Sequence, residues 1–499
     1  MPINNIKTIV LVALFCLYCC RQTTLQNQIL LFTMKQIESI ALVKPSRESI
    51  FEGAMEGALN KLETDYGDPY SLYIPPKHEK MFHEQLDSKL EGIGVRFDPL
   101  SEKGEFRVFY SLYDSPAYNA GIKAGDTILK VEGVDIEGLT PNDLVKKIKG
   151  EPGTEVTLTV SHFNDETPVD MRIRRASIQQ KTVFGFMLDD SGNYSVSIPD
   201  EDRTIGYIYI ASFGVHTGKE VVALLQAFPP GTNKLVIDLR GNPGGYLKTA
   251  VEVADLFVDN KGPYREIVTT QNRNGQTKFG GSYYATSGVA FTGEILVLID
   301  GGSASAAEIF AACLQDFERA KIMGQRSYGK GTVQEIFKLP LNSGTVKLTD
   351  ASYWRPSGKN INRFKRPKTD DGSDEKKNPD ESDDWGVSPD DGLEVEVSQK
   401  QRAITSFLRD LRINIPRDQT EPLYKHYLEL LTKEISNIPK IVEAEDVVAD
   451  EDETQKTDET FKPQGKPPYY DPVLDKAVAE MLKPKPRKQS NANKTQRQP

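Results

Sequence analysis

An apolar strand, Glu294 to Ile299, runs straight into Asp300-Gly301-Gly302-Ser303-Ala304-Ser305-Ala306-Ala307-Glu308, and a helix leaves that turn with Phe310, Cys313, Leu314 and Phe317 at helical spacing. A unit of this kind commits its surroundings to a layered core, because a continuous apolar strand has to be covered on both faces. Two earlier stretches repeat the pattern. Gly206 to Phe213 reads as an apolar strand, and Lys234 to Arg240 is a nearly unbroken one. The turn Gly241-Asn242-Pro243-Gly244-Gly245 then feeds a helix with Ala250, Val253, Ala254 and Phe257 on one face. The expected class is α/β (α+β), with several units along the chain.

The turn also carries chemistry. Ser305 stands at the start of its helix, where unpaired N–H groups and the positive end of the helix dipole favour a developing anion. The turn can present the hydroxyl in the open, and the small residues at 303, 304, 306 and 307 leave room for a peptide. The Ala306 N–H is one candidate oxyanion donor and Gly245 the second. Taken alone, the turn is equally well read as a helix cap.

A serine nucleophile needs a base. Of the five histidines only His216 falls in the same region, and no acidic–histidine pattern surrounds it. Lys330 lies between Gly329 and Gly331, 25 residues after Ser305. At an ordinary pKa only about one lysine in a few thousand is neutral at pH 7. Burial lowers that pKa, and flanking glycines let the backbone press close enough to bury the amine. Gln334, four residues on, is a neutral amide that can orient the amine without restoring its charge. Cys313 shares a helical face with Phe310 and Phe317 and is expected in the core. Ser327-Tyr328-Gly329-Lys330 spells a penicillin-recognising signature, but its glycines oppose the helix that signature needs.

Composition bounds the rest. At 499 residues the chain is expected to hold several units, and its net charge of −10 argues against a nucleic-acid surface. Residues 1–21 read as a signal peptide or membrane anchor, since Lys7 precedes a short apolar run closed by Arg21. Export to the bacterial envelope, periplasmic or anchored facing the periplasm, is the expected location. Cys16, Cys19 and Cys20 belong to that segment, which leaves Cys313 alone in the folded part. Residues 28–86 are expected as a helical arm, 87–180 as a compact β unit and 181–365 as the α/β core. A charged insert, 366–384, precedes a return to the core at 385–396, and 397–499 holds helices, a linker and a tail.

Residues 87–180 resemble a PDZ domain of the bacterial protease-associated kind, on Gly92 to Val95, Ser115 to Asp126 and the helix Pro141 to Lys149. The resemblance implies peptide binding at Gly92, Ile93, Gly94 and Val95, where loop N–H groups take a terminal carboxylate and a strand edge accepts the peptide. Three further blocks, Asp238 to Gly245, Ser303 to Ile309 and Gly329 to Gln334, resemble the signatures of the C-terminal processing peptidases, or tail-specific proteases. That likeness implies a core of the ClpP/crotonase-like kind, with Ser305 as nucleophile, Lys330 as general base, Gln334 orienting the lysine, and Gly245 with Ala306 as oxyanion donors. It implies no cofactor and no metal. The implied partners are proteins with accessible C-termini; membrane association through the N-terminus and self-association stay open. Ala307 stands where many members carry serine. A catalytically silent PDZ scaffold that only binds peptides is the alternative.

Overall fold

The computed structural model describes residues 25–99, 104–163, 165–189, 191–198, 205–259, 265–286, 288–363, 385–416, 427 and 471–483. The expected signal or anchor (1–21) and the charged insert (366–384) lie outside these residues. Among the described residues no helix is long and apolar enough to cross a membrane. They fall into two units.

The first unit holds residues up to Glu79 together with Gln334–Thr349. It contains helices Leu25–Ile40 and Arg47–Tyr66. Ser46 caps the second by accepting from the Ser49 N–H at 3.0 Å, and Gly67, at φ +65°, closes it. The strand Leu72–Ile74 pairs antiparallel with Thr345–Lys347, so Tyr73 and Val346 meet Leu59 in a small core.

The second unit holds Lys80–Val333 together with the described residues from Asp350 onward. Its β-rich part places Thr127–Val131 between Val134–Asp135 and Glu155–His162, with Asp165–Arg174 beyond. Val156, Leu158 and Val160 alternate inward, as a half-buried strand requires, against Leu144 and Ile148 of the helix Pro141–Ile148. Thr140 caps that helix and Pro141 begins it.

The α/β part is a five-stranded sheet in the order Val183–Phe184, Ile205–Ile210, Lys234–Asp238, Glu294–Ile299, Lys321–Gly324, parallel but for its first strand. Strand alternation splits its side chains between two cores. Leu235, Ile237, Val297 and Ile299 face the helices Leu247–Asp255 and Ala306–Asp316. Val236, Leu296 and Leu298 face the helix Pro472–Leu482 on the other side. The helix Gln399–Asn414 joins this unit's two parts: Phe407 stacks on Phe109 at 4.5 Å between ring centres, while Arg409 reaches Asp238 under the sheet.

Candidate active site

The site is built where three parallel strands end. After Ile299 the chain turns through Asp300, whose carboxylate Oδ1 accepts from the N–H groups of Gly302 and Gly241, each at 2.9 Å. Ser303 donates to the Leu239 carbonyl at 2.8 Å. Ser305 then occupies the N-cap of Ala306–Asp316 with φ +56° and ψ −115°, a backbone that a non-glycine residue adopts only under constraint. Its N–H donates to Glu308 Oε2 at 2.8 Å, half of the Ser-x-x-Glu reciprocity of a capping box.

Two expectations about this turn are corrected. Ser305 is 7 % exposed, so its side chain is tucked in rather than standing in the open. Ser303, Ala306 and Ala307 are fully buried, and their small size serves close packing of the helix N-terminus rather than access for a peptide.

The turn Gly241–Gly245 lies directly against the serine. A side chain at Gly244 would put its Cβ 2.8 Å from the Ser305 Cβ and from the Ala304 carbonyl oxygen. One at Gly245, φ +142°, would meet the Phe213 oxygen at 2.3 Å. Asn242 rivets the turn: its Nδ2 donates to Ile210 O, its Oδ1 accepts from Gly244 N–H, each at 2.8 Å, and its carbonyl accepts from Ala304 N–H at 2.9 Å. Among the described residues the N–H groups of Gly245 and Ala306 have no protein acceptor, which leaves both for an incoming oxygen.

The lysine arrives on a second loop. Tyr328 N–H donates to Ser303 O at 3.0 Å, Arg363 N–H to Gly329 O and Tyr353 N–H to Gly331 O, each at 2.8 Å. Both flanking glycines are forced by close approach: an added Cβ would sit 2.6 Å from Arg363 Cβ at position 329 and 2.2 Å from Asn362 N at position 331. Lys330 itself is half-buried, short of the full burial expected for it.

Two residues near the serine carry no signal in the sequence that points to their role. Glu308 is fully buried and accepts four bonds: from the N–H groups of Ser305 and Lys330 at 2.8 Å, from Gly329 N–H at 2.6 Å and from the Ser327 hydroxyl at 2.5 Å. One carboxylate thus ties the backbone of Ser305 to the backbone of Lys330. The capping-box spacing marks it as a partner of Ser305, but nothing local marks its reach to the lysine loop. Tyr353, 4 % exposed, brings its phenol close enough to the Ser305 side chain to feel it electrostatically; burial pushes the phenol up to about 12, so it stays neutral. Ser327, the first residue of the penicillin-type signature, is consumed by Glu308 and by the Val387 N–H at 2.7 Å.

Burial pushes the Glu308 carboxyl up to about 7 from an ordinary 4.5, against the pull of its four donors. A folded-state pKa above the unfolded one means that the folded protein holds its proton longer. The stability this group contributes is therefore complete below about 4.5 and is lost as pH rises through about 7, by at most about 3 kcal/mol. Thermal melts at pH 5 and pH 8 are expected to differ in that direction for the wild type, and the difference to shrink in Glu308→Gln.

The remaining candidates divide between core and surface. Cys313 is fully buried in the core beside Phe310, and burial pushes its thiol up, away from reactivity. His216 precedes the helix Thr217–Gln226, its carbonyl accepting from Glu220 N–H at 3.0 Å. Gln334 belongs to the first unit, where its Nε2 donates to the Thr349 hydroxyl at 3.2 Å. Thr349 donates in turn to Asp68 at 2.9 Å, and Asp68 also accepts from Ser71 at 2.5 Å. The aromatic, proline-stopped connector read as a plain arm thus anchors the glutamine.

In the β-rich part, Gly92, Ile93, Gly94 and Val95 form one loop and strand entry. Gly94, φ +85°, packs on Ser115, where an added Cβ would meet the Ser115 Cβ at 2.4 Å. Val95–Phe97 pairs with Val108–Ser111 on one edge, and among the described residues no strand occupies the other. Gly92 lies near Lys149 at the end of the helix Pro141–Ile148.

Residues 204–366 match the profile of peptidase family S41, and residues 110–161 match that of a PDZ domain. The chain is 34 % identical over 322 residues to the carboxy-terminal processing protease CtpB of Bacillus subtilis, a match covering 64 % of this chain and 62 % of that protein. It is 36 % identical over 324 residues to the carboxy-terminal-processing protease of Bartonella bacilliformis, covering 64 % and 68 %. The chain therefore spans about two thirds of the length of these relatives. Among solved structures, a putative S41 protease from Bacteroides fragilis aligns with a TM-score of 0.44 at 16 % identity, covering 76 % of this chain and 90 % of that one.

Proposed function

We propose that this chain, which belongs to the carboxy-terminal-processing proteases of peptidase family S41, is a serine endopeptidase that takes hold of protein C-termini and cleaves upstream of them. The observation that carries the reading is the shared carboxylate: Glu308 fixes the backbone of Ser305 and of Lys330 together, beside two N–H groups without acceptors. Neutral Lys330 takes the Ser305 proton as Oγ attacks the peptide carbonyl, and the N–H groups of Gly245 and Ala306 receive the oxyanion. The C–N bond breaks, the amine leaves with the proton returned from Lys330, and water then opens the acyl-serine ester. Gln334, four residues beyond Lys330, is assigned from sequence spacing the task of orienting the amine. The core is read as of the ClpP/crotonase-like kind.

The PDZ part supplies the tail-reading step. A peptide adding to the open edge of Val95–Phe97 places its terminal carboxylate at Gly92–Gly94, beside the helix Pro141–Ile148. Substrates are accordingly proteins with accessible, mainly apolar C-termini, and export to the envelope is the compartment in which we expect them to be met.

A serine-reactive phosphonate is expected to label the wild type, and Ser305→Ala to abolish labelling while the exposed control Ser357→Ala retains it. A wild type that binds C-terminal peptides but takes up no label would be a silent scaffold, and the protease reading would fall.

A further inference from the structure

The turn that carries Gly245 starts from a buried charge cluster under the sheet. Asp238, the last residue of its strand, is fully buried, and Arg240 is 5 % exposed. Arg240 gives Asp238 two bonds, Nε to Oδ1 at 2.9 Å and Nη2 to Oδ2 at 2.6 Å. Its remaining edge is taken by Asp471, Nη1 to Oδ1 at 2.8 Å and Nη2 to Oδ2 at 2.7 Å. Asp471 is 4 % exposed and also caps the helix Pro472–Leu482, accepting from Leu474 N–H at 3.0 Å. Val473, Leu474, Ala477 and Met481 seat that helix on Val236, Leu296, Leu298 and Met323.

The charges are matched closely. Arg409 lies 3.6 Å from Asp238 and 4.0 Å over the Tyr209 ring, and Tyr207 donates its hydroxyl to Asp238 at 2.8 Å. Burial alone would raise the Asp238 carboxyl, but Arg240 beside it holds it far below the usual range; burial would likewise lower Arg240, and its two carboxylates hold it high. Remove Asp471, and two buried guanidinium groups are left to one carboxylate. Arg240 cannot then keep its bidentate geometry with both sides, and its backbone is the first residue of the turn: its own N–H donates to Asp238 at 3.0 Å, and the next N–H donates to Asp300 on the serine turn.

We propose that Asp471 is a positioning residue for peptide-bond cleavage: by closing the Arg240 guanidinium it sets the Arg240–Gly245 turn, and with it the Gly245 N–H, against Ser305. This rests on the protease reading of Ser305 and Lys330. It adds one carboxylate lying beyond residue 366, where the family match ends, to the groups that shape the oxyanion pocket, while the body of its helix serves only as support. An oxygen held about 1 Å off its donors loses on the order of 100-fold in rate, which sets the size of the expected effect.

The test uses the full-length protein and four variants. Asp471→Asn and Asp471→Ser remove the charge but keep an oxygen for the helix cap, so either one, if soluble, serves. Asp471→Glu restores the charge. Met481→Ala loosens the same helix without touching the cluster. For each, melting temperature, phosphonate labelling rate, kcat and KM on a tail-bearing substrate are measured well below the melting transition. The charge-removing variants are expected to lose about 10- to 100-fold in labelling rate and kcat with KM within about twofold, Asp471→Glu to recover part of it, and Met481→Ala to melt lower at an unchanged rate. Charge-removing variants that melt lower yet label and turn over as the wild type would overturn the proposal. An unlabelled wild type would instead overturn the protease reading beneath it.

Discussion

Lys330→Ala is expected to lower kcat by about 10²- to 10⁴-fold while leaving peptide capture intact, because on the proposed reading Lys330 is the positioned general base and that role contributes this much. The described geometry makes the effect separable from misfolding. The loop is held through its backbone, by Glu308 on the Gly329 and Lys330 N–H groups and by Arg363 and Tyr353 on the flanking carbonyls, so removal of the amine leaves those bonds in place. Since the side chain is half-buried rather than sealed, a small primary amine added to Lys330→Ala is expected to restore part of the rate. Lys330→Arg offers the contrary control, a cation of similar length that stays charged at any working pH and cannot take a proton. Single-turnover labelling with the phosphonate reads all three. Wild-type speed in Lys330→Ala would remove the lysine from the mechanism.

Glu308→Gln carries the second large effect, and it should be measured at pH 8, where the carboxyl is ionised. The amide can present an oxygen to only one of the two pairs of donors. With its oxygen toward Ser305 and Lys330, the NH₂ opposes Gly329 N–H; turned over, it opposes the other two N–H groups. Either choice strands at least one buried backbone donor, at about 1–3 kcal/mol each. The loss falls on the bonds that hold the backbones of Ser305 and Lys330 together, so the labelling rate is expected to drop about 10- to 100-fold together with the melting temperature. Unchanged labelling at a lowered melting temperature would reduce Glu308 to a plain helix cap.

How far the sequence reached depends on which forces are local. The parallel strands were legible because their apolar residues run unbroken, and the structure buries Leu235 to Ile237 and Ile295 to Ile299 on both faces. The helix that starts at Pro141 was legible because capping chemistry spans only a few residues, with Thr140 before it and Pro141 at its first position. Cys313 was placed by helical spacing alone. What stayed hidden depends on distant partners. Tyr353 reaches Ser305 from a strand 48 positions later, and the bond between Arg240 and Asp471 joins residues 231 apart. The turn's small residues misled for a related reason: a short side chain signals close approach, and sequence cannot say whether the approaching group is substrate or the protein's own core. For Lys330, the glycines correctly marked a backbone pressed close, yet close packing of backbone did not extend to sealing the side chain.

The helix Gln399–Asn414 belongs to two cores at once. Phe407, Leu408 and Leu411 complete an aromatic cluster with Phe109 and Tyr110 of the PDZ part, while Arg409 and Arg412 stand under the central sheet, Arg412 at 4.0 Å over the Phe186 ring. The consequence concerns folding. The PDZ part cannot close that cluster until a segment some 290 residues later in the chain has arrived, so it completes its packing late and together with the sheet rather than as an autonomous bead. Cut out by its sequence boundaries, it would carry two bare aromatic rings where the intact chain has a buried seam.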